Sequence, residues 1–322
     1  SPRSSSMRAS EMGDSGAPLL RAEGLARSYG GRVALAGLSF EVARGEIFGF
    51  LGPNGAGKST AFHLLAGLLD PDGGEIRFHG ARVTPRDAAF RACIGVVFQS
   101  PSVDLLLTGR ENLRLGAMLY GITGGEARAR IAEALDLVEL AGRADERVAT
   151  YSGGMRRRLE IARVLLHRPE LLIMDEPGQG LDLATLRRLW THLRGLASER
   201  GLAILLTTHS PDEAEFCDRL AVLDGGRIGA AGTPEELKRQ LGGDVLTIEA
   251  ADGDPAGLAA ELATRFALEA RVVDGAVMIE QPRGHELIPR LVESLPPGRL
   301  RSLAMRPPTL GDVFAHLTGR PL

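Results

Sequence analysis

Residues 52–60 of this 322-residue chain read GPNGAGKST and contain the spacing Gly52-x-x-x-x-Gly57-Lys58-Ser59. An apolar run precedes them and the helical pattern AFHLLAGLL follows, a context in which such a loop turns its main-chain N–H groups toward phosphate oxygens. The Lys58 ammonium can reach the β- and γ-phosphates, and the Ser59 hydroxyl can bind Mg²⁺. A glycine turn with an incidental lysine is the alternative, but the chain has only one other lysine, Lys238. We therefore predict a nucleotide site formed by Gly52, Pro53, Asn54, Gly55, Ala56, Gly57, Lys58, Ser59 and Thr60.

Two adjacent carboxylates, Asp175 and Glu176, end the apolar run LLIMDE at 171–176. Near-continuous apolar runs of this length predict strands buried on both faces of a parallel sheet, and ligands gather at the carboxyl ends of such strands. Asp175 can hold Mg²⁺ through water, and Glu176 can orient or deprotonate an attacking water molecule. A solvated acidic strand end is the alternative, which the phosphate loop on the same chain disfavours.

A second helix start with the chemistry of an anion site lies at residues 151–158, YSGGMRRR. Free N–H groups and the positive end of the helix dipole both favour a phosphate at such a start. The three arginines that follow, 156–158, are expected on a solvated helix face rather than on nucleic acid, because the net charge of the chain is −3. A single nucleotide bound to one chain does not explain two phosphate-facing helix starts.

Two further polar residues have no assignable chemistry when each is considered alone. His209 closes the run AILLTTH at 203–209, and an isolated histidine at a sheet edge is more often structural. Gln99 follows IGVVF and by itself indicates only a polar loop residue.

The elements that must position these residues follow from hydrophobic periodicity. The runs at 46–52, 171–176 and 203–209 predict buried parallel strands. Between them, TGRE at 108–111 has the form of a capping box that opens a helix through Leu119. The apolar residues of a second amphipathic helix, which runs to about Leu140, are Ala127, Ile131, Leu135 and Val138. We predict a helical subdomain at about 104–168 within a nucleotide-binding domain of residues 17–243.

The pattern changes beyond Gly243, where strand and helix signals follow the order β-α-β-β-α-β with an Asp274-Gly275 hairpin turn. This order predicts a ferredoxin-like accessory domain over residues 244–322. It contains no cysteine and no nucleophile–base pairing, so we assign it no catalysis.

The chain ends in PTLGDVFAHLTG, where Thr309 and Asp312 can cap a short helix. Val313, Phe314 and Leu317 would be exposed along one side of that helix. So short a helix is not stable alone. It must dock on its own ferredoxin-like sheet, on the nucleotide-binding domain or on a second protomer.

Composition and charge exclude several classes of protein. The net charge of −3 gives no global field toward nucleic acid or an acidic membrane surface. Cys93 and Cys217 lack metal-ligand spacing, which predicts a reducing compartment without a disulfide framework. No apolar run reaches the roughly eighteen residues that a membrane span requires. The serine-rich residues 1–16 predict a disordered tail, in part an expression remnant.

The motifs together resemble those of the nucleotide-binding domain of the ATP-binding cassette (ABC) family. GPNGAGKST, Gln99, YSGGM, LLIMDEP, GLD at 180–182 and His209 stand in that family's order and approximate spacing over about residues 19–240. The resemblance implies an α/β P-loop NTPase domain with a helical signature subdomain, followed here by the small ferredoxin-like α+β domain. It implies ATP and Mg²⁺ as ligands.

The resemblance also implies a mechanism, in which water attacks the γ-phosphate with Glu176 as the base. Lys58 and Mg²⁺ would stabilise charge, and His209 would sense the γ-phosphate. Gln99 becomes both a catalytic and a metal-binding residue. The metal ligands that it implies are Ser59, Gln99 and Asp175.

A head-to-tail pair of chains would explain the second helix start, because in ABC proteins the signature of one domain caps the nucleotide held by its partner. Ser152, Gly153 and Gly154 would approach the γ-phosphate in trans. Asp182 of the GLD loop would also face nucleotide. Tyr29 matches the aromatic residue that stacks on adenine in the family, although an isolated tyrosine could equally be core.

Departures from the common pattern resemble one branch of the family. The signature has Tyr151 and Met155 where leucine and glutamine are frequent, and Gly178 stands where threonine is common. Gly178 is expected to add backbone freedom near the dimer seam. VDLLLTGRENLRL at 103–115 and the closing PPTLGDVFAHLTG look like the daunorubicin-resistance type of bacterial export ATPase.

These features predict a cytoplasmic ATPase subunit, peripheral on the inner face of the cell membrane, that powers an exporter as a homodimer with a separate membrane permease. The permease is expected to dock at 101–111, where Leu105 and Leu106 either contact it or lie in the core. A soluble ABC ATPase that acts on nucleic acid or ribosomes is the alternative, although no nucleic-acid partner is expected. A P-loop kinase would have no use for YSGGM.

Overall fold

The computed structural model describes residues 17–84, 86–100, 102–319 and 322, so the tail predicted at 1–16 lies outside the described residues. In chain order the strands are β1 Leu20–Tyr29, β2 Arg32–Val42, β3 Ile47–Leu51, β4 Gly73–Phe78, β5 Ala81–Val83, β6 Ile94–Val97, β7 Leu171–Asp175, β8 Ala203–Thr208, β9 Arg219–Asp224, β10 Arg227–Gly232, β11 Asp244–Ala250, β12 Ala270–Val273, β13 Ala276–Gln281 and β14 Leu300–Arg306. The α-helices are α1 Lys58–Leu65, α2 Ala88–Cys93, α3 Gly109–Leu119, α4 Gly124–Leu137, α5 Gly153–Leu165, α6 Leu183–Arg200, α7 Pro211–Ala214, α8 Pro234–Arg239, α9 Pro255–Phe266, α10 Gly284–Ser294 and α11 Leu310–Thr318.

A six-stranded sheet with the order β10-β9-β3-β8-β7-β6 carries the strands that precede the predicted site residues. The three predicted buried strands are β3, β7 and β8, and every residue in them is buried. Strand β8 pairs in parallel with β3 on one side and β7 on the other. The register places Leu51 opposite Thr208 and Asp175 opposite Thr207, so the carboxyl ends of all three strands meet at one sheet edge.

Two apolar cores cover the faces of this sheet. On one face, α1 and the antiparallel sheet β2-β1-β4-β5 enclose side chains such as Phe48, Phe50 and Phe62. On the other face, α6 contributes Trp190 and Leu193 to a second core. A parallel sheet needs such cover because both of its faces are apolar.

The helical insert has a separate core, which extends from Val103 to Leu166. Thr108 and Glu111 form the predicted capping box at the start of α3, and the apolar residues that predicted α4 are buried. Leu105 and Leu106 are 43% and 77% exposed, so the interpretation that they belong to the core is wrong.

The last four strands form an antiparallel sheet with the order β12-β13-β11-β14. With α9 and α10 this is the ferredoxin-like order predicted from the sequence. Asp274 and Gly275 both have positive φ, as a two-residue hairpin turn between right-twisted strands requires.

The C-terminal helix α11 docks on the nucleotide-binding part of its own chain. Thr309 and Asp312 form a capping box, as predicted. Val313 and Phe314 are buried in the core that contains Trp190 and Ala214, while Leu317 is 39% exposed. Val313 and Phe314 therefore form the side by which α11 docks, and of the predicted docking alternatives it is the nucleotide-binding domain of the same chain that receives them. Docking on its own ferredoxin-like sheet is limited to contacts such as the one between His316 Nδ1 and Glu280 Oε2, at 3.0 Å.

Cys93 and Cys217 are free thiols. Among the described residues, no helix combines the length and apolar character needed to span a membrane.

Candidate nucleotide site

A cavity of about 630 Å³ opens at the sheet edge where the three motif-bearing strands end. The cavity brings together the phosphate loop, the loop after β6 and the residue after β7. Its lining includes Tyr29, Asn54, Gly55, Gly57, Lys58, Ser59, Thr60, Gln99 and Glu176. Tyr29 and six of the nine predicted phosphate-loop residues therefore share one cavity.

Close packing explains two glycines of the phosphate loop. The Gly52 N–H donates to the carbonyl oxygen of Thr208 at 3.2 Å, and a Cβ on Gly52 would lie 2.4 Å from the carbonyl oxygen of Leu223. Gly57 is the N-cap of α1 with φ 107°, and a Cβ there would lie 2.7 Å from the carbonyl oxygen of Ala34. Only glycine fits both positions, so the loop can hold its N–H groups at the start of α1.

The Lys58 side chain is buried within the loop. Its ammonium donates to the carbonyl oxygens of Gly52 at 2.7 Å and Pro53 at 3.1 Å, and lies 3.9 Å from Glu176 Oε1. Burial lowers the pKa of Lys58, and the negative charges of Glu176 and Asp175 oppose that shift. Lys58 is thus placed to bind an anion at the loop.

Three predicted catalytic residues lie close to the carboxylate of Glu176, namely Lys58, Gln99 and His209. Gln99 Nε2 donates to Oε2 of Glu176 at 3.3 Å, and His209 Nδ1 lies 3.0 Å from Oε1. Glu176 is 8% exposed and His209 is half exposed. Gln99 and His209, which have no assignable chemistry when each is considered alone, therefore belong to the same cluster as Glu176.

The main chain at Glu176 has a left-handed conformation, with φ 47°. This conformation is costly for a residue with a side chain, so the surrounding structure must hold it. The Glu176 N–H donates to the carbonyl oxygen of Thr207 at 3.0 Å, and the Thr207 hydroxyl donates to Asp175 Oδ1. Asp175, the predicted metal ligand at this strand end, is 6% exposed.

The signature residues lie apart from the cavity of their own chain. Ser152 caps α5 through a hydrogen bond from the N–H of Met155 at 3.2 Å, and Gly153 is exposed, with open space around its α-carbon. Asp182 caps α6 through Thr185, and hydrogen bonds from Thr185 lower the pKa of Asp182. These residues are available to a second molecule rather than to the nucleotide cavity of their own chain.

Tyr29 also lines the cavity and is 45% exposed, with the Arg27 guanidinium 5.2 Å from its ring centroid. The interpretation of Tyr29 as a core residue is therefore wrong. Its stacking on adenine stays a prediction.

Arg157 contradicts the expectation of a solvated arginine face. It is only 2% exposed, and its guanidinium reaches main-chain carbonyls of the loops that present Gln99 and Glu176. Its neighbour Arg158 is mostly buried and donates to the carbonyl oxygen of Val138 at 2.7 Å. The sequence signal for this burial was the helical period of α5, because Arg157 lies four residues before the buried Ile161 and therefore on the same side of the helix.

Gly178 lacks the left-handed conformation that would explain a glycine by backbone freedom. A Cβ at this position would lie 2.6 Å from Oε1 of Glu213. The lack of room for a side chain, rather than the expected backbone freedom, thus explains the glycine at 178. Glu213 is buried, and burial raises its pKa, an effect that Thr208, the Gly178 N–H and Arg157 oppose.

Comparison with known proteins agrees with this geometry. The family model described as "ABC transporter" matches residues 35–179. The Nod factor export ATP-binding protein I of Paraburkholderia xenovorans is 42% identical over 92% of this chain and 95% of its own length. The daunorubicin/doxorubicin resistance ATP-binding protein DrrA of Streptomyces peucetius is 40% identical, over 94% of this chain and 93% of its own length. A dimeric post-hydrolysis ATP-binding cassette bound to ADP and Pi superposes with a TM-score of 0.61 and 28% identity, over 66% of this chain and 98% of that one.

The fold and the cavity define a P-loop ATPase of the cassette type. The chain belongs to the ABC transporter family, as an ATP-binding subunit that hydrolyses ATP to drive transport. The names of these relatives do not favour action on nucleic acid or ribosomes.

Proposed function

We propose that this chain powers a bacterial exporter by closing, with ATP, against a second copy of itself beneath a separate membrane permease. One observation carries the proposal: Ser152 and Gly153 are exposed at the start of α5, and neither they nor Gly154 line the cavity that already contains the phosphate loop and Glu176. Two chains placed head to tail would complete both sites. The relatives named for export and drug resistance support the direction of transport.

Within each site, the side chains of this chain would divide the work. Glu176 would accept a proton from water, and Lys58 would hold phosphate oxygens. Gln99 and His209 would orient the Glu176 carboxylate, since both lie within hydrogen-bonding distance of it. Binding energy would close the pair and hydrolysis would reopen it.

Mg²⁺ fits the donor set of this site. A magnesium ion bound with nucleotide keeps most of its ligands as phosphate oxygens and water, so it needs only one or two protein oxygens. Ser59 and Gln99 line the same cavity, and Asp175 ends the adjoining strand. These residues would hold the ion, which would neutralise charge on the β- and γ-phosphates.

The permease would dock on the surface of the helical insert. Large apolar side chains are exposed there on α3 and the segment before it, namely Leu105, Leu106, Leu115, Met118 and Leu119. An apolar surface of this kind is typical of a protein interface. Residue 101, at the start of the predicted docking segment, lies outside the described residues. This contact would place the chain on the cytoplasmic face of the membrane.

The substitution Glu176→Gln tests the function. The variant is expected to keep ATP affinity and lose turnover, because the base is removed while the phosphate contacts stay. Gel filtration with Mg-ATP should then show a persistent dimer, which ADP does not produce. Wild-type turnover in this variant would remove Glu176 from its role, and a monomer at saturating ATP would count against the paired arrangement.

A further inference from the structure

The guanidinium of Arg157 is bonded to two separate loops of the nucleotide site. It donates to the carbonyl oxygens of Asp175 at 2.7 Å and Pro177 at 3.2 Å, which flank Glu176 on both sides. It also donates to the carbonyl oxygen of Phe98, directly before Gln99. One rigid planar group therefore ties together the main chain that presents Glu176 and the main chain that presents Gln99.

The backbone of Glu176 needs such support. Its φ of 47° is a conformation that side-chain-bearing residues adopt at a cost, and it persists only where neighbouring groups fix the adjacent peptides. On the strand side, the Glu176 N–H donates to the carbonyl oxygen of Thr207, whose hydroxyl donates to Asp175 Oδ1. Arg157 donates to the carbonyl oxygen of the residue on each side of Glu176, so it fixes both neighbouring peptides.

A buried carboxylate on the same helix completes the arrangement. Glu160 is 1% exposed and accepts from Arg157 at 3.0 Å through Oε2. Its other oxygen accepts from the N–H and hydroxyl of Ser102, at 3.0 and 2.9 Å. Helix α5 therefore holds the loop containing Gln99 at two points, Phe98 and Ser102.

We propose that Arg157 is a positioning residue for ATP hydrolysis, which fixes Gln99 and Glu176 relative to each other through their main chain. The inference rests on the proposed roles of those two residues. Because α5 begins at the signature, Arg157 also joins the partner-facing end of this helix to the chain's own hydrolytic site. Within the described part of the chain, the hydrogen bonds and ion pair of Arg157 do not involve the phosphate loop, so we expect nucleotide binding to be independent of it.

The test compares Arg157→Gln with Arg130→Gln in the full-length chain. Arg130 is a matched control, because its guanidinium also bonds a carbonyl, that of Leu166 at 2.8 Å, and a glutamate, Glu126 at 2.6 Å. Arg157→Gln is expected to lower kcat by about tenfold or more, with KM for Mg-ATP nearly unchanged. Arg130→Gln is expected to keep the wild-type kcat. A wild-type kcat for Arg157→Gln would overturn the inference.

A second variant separates positioning from stability, since Arg157→Gln leaves Glu160 buried without its counter-charge. The double variant Arg157→Gln/Glu160→Gln removes both charges and should regain much of the lost Tm while kcat stays low. Arg157→Lys restores the charge but not the three-carbonyl geometry, and is expected to recover Tm more than kcat. Recovery of kcat in parallel with Tm would overturn the positioning role. If Arg157→Gln does not fold, these two variants supply the same comparison.

Glu176→Gln, measured in parallel, distinguishes failure of this inference from failure of the proposed function. If Glu176→Gln is inactive while Arg157→Gln is fully active, only the positioning role of Arg157 is rejected. If Glu176→Gln is fully active, the assignment of Glu176 as the base is rejected, and the inference about Arg157 is rejected with it.

Discussion

The residue type at position 178 is restricted to glycine by Glu213, a residue distant in the sequence. The α-carbon of Gly178 faces the buried carboxylate of Glu213, whose Oε1 has no hydrogen-bond partner among the described residues. A methyl group at 178 would lie 2.6 Å from that oxygen and 2.9 Å from Leu186 Cδ1. The Glu213 side chain is enclosed, so it cannot easily make room for the added methyl group.

We predict that Gly178→Ala lowers the free energy of unfolding by about 1–3 kcal/mol, the usual cost of overpacking. Gly195→Ala is the control, because Gly195 lies within α6 with open space at its Cβ position. That control should gain roughly 0.5–1 kcal/mol from the better helix former. Urea denaturation of the two variants and wild type measures both effects. Equal midpoints for Gly178→Ala and wild type would show that the site accepts a side chain.

Two helices, α3 and α11, differ in what their apolar residues contact. On α3, Leu113 is buried in the insert core, while Met118 and Leu119 are 64% and 79% exposed. On α11, Val313 and Phe314 enter the core of the nucleotide-binding part. The exposed side of α3 suits a partner, whereas the apolar side of α11 is already used within the chain.

We predict that Leu106→Asp abolishes co-purification with the permease while basal ATPase activity stays unchanged, because Leu106 is 77% exposed and remote from the nucleotide cavity. The same substitution at the fully buried Leu113 should instead unfold the insert. Affinity capture of the permease and ATPase assays on both variants give the comparison. Loss of basal activity in Leu106→Asp would show that the substitution acts on more than the permease contact.

We predict that Phe314→Ala destabilises the nucleotide-binding part by about 3–5 kcal/mol, because the side chain is fully buried in the core that also contains Trp190 and Leu237. Leu317→Ala, on the exposed side of the same helix, should cost about 0.5 kcal/mol or less. Thermal unfolding followed by Trp190 fluorescence reports on this core directly, since Trp190 is the only tryptophan of the chain. A Phe314→Ala variant with wild-type Tm would contradict the observed docking of α11.

At the scale of the whole molecule, the two sets of residues proposed to form an ATP site lie on separate parts of one chain. The phosphate loop and Glu176 line the cavity, whereas Gly153 is exposed at the start of α5 with no atoms within 4 Å of its Cβ position. A substitution at Gly153 should therefore leave the folded chain intact and act on the partner's site.

We predict that a mixture of Lys58→Ala and Gly153→Asp chains regains part of the ATPase activity that each lacks alone. In the mixed pair, one interface combines an intact phosphate loop from the Gly153→Asp chain with an intact signature from the Lys58→Ala chain. ATPase measurements over a titration of the two variants test this. Absence of recovery, with mixed pairs demonstrated by differently tagged chains, would contradict sites shared between chains.

The sequence by itself determined the features that depend on residue type at short spacing. Four such features could be predicted from the sequence: the phosphate loop, the adjacent Asp175 and Glu176, the capping box at Thr108 and the Asp274-Gly275 turn. Each depends on interactions within a few residues, or on a chemistry that few residue types can supply.

Only the tertiary structure decided how distant segments meet. Arg157 stands in a run of three arginines that predicted a solvated face, yet it is buried because carbonyls from residues 98, 175 and 177 converge on it. The docking of α11 and the space that Gly178 leaves for Glu213 likewise depend on contacts between residues far apart in the chain. Sequence periodicity tells which side of a helix is apolar, but the partner of that side depends on how all the elements pack.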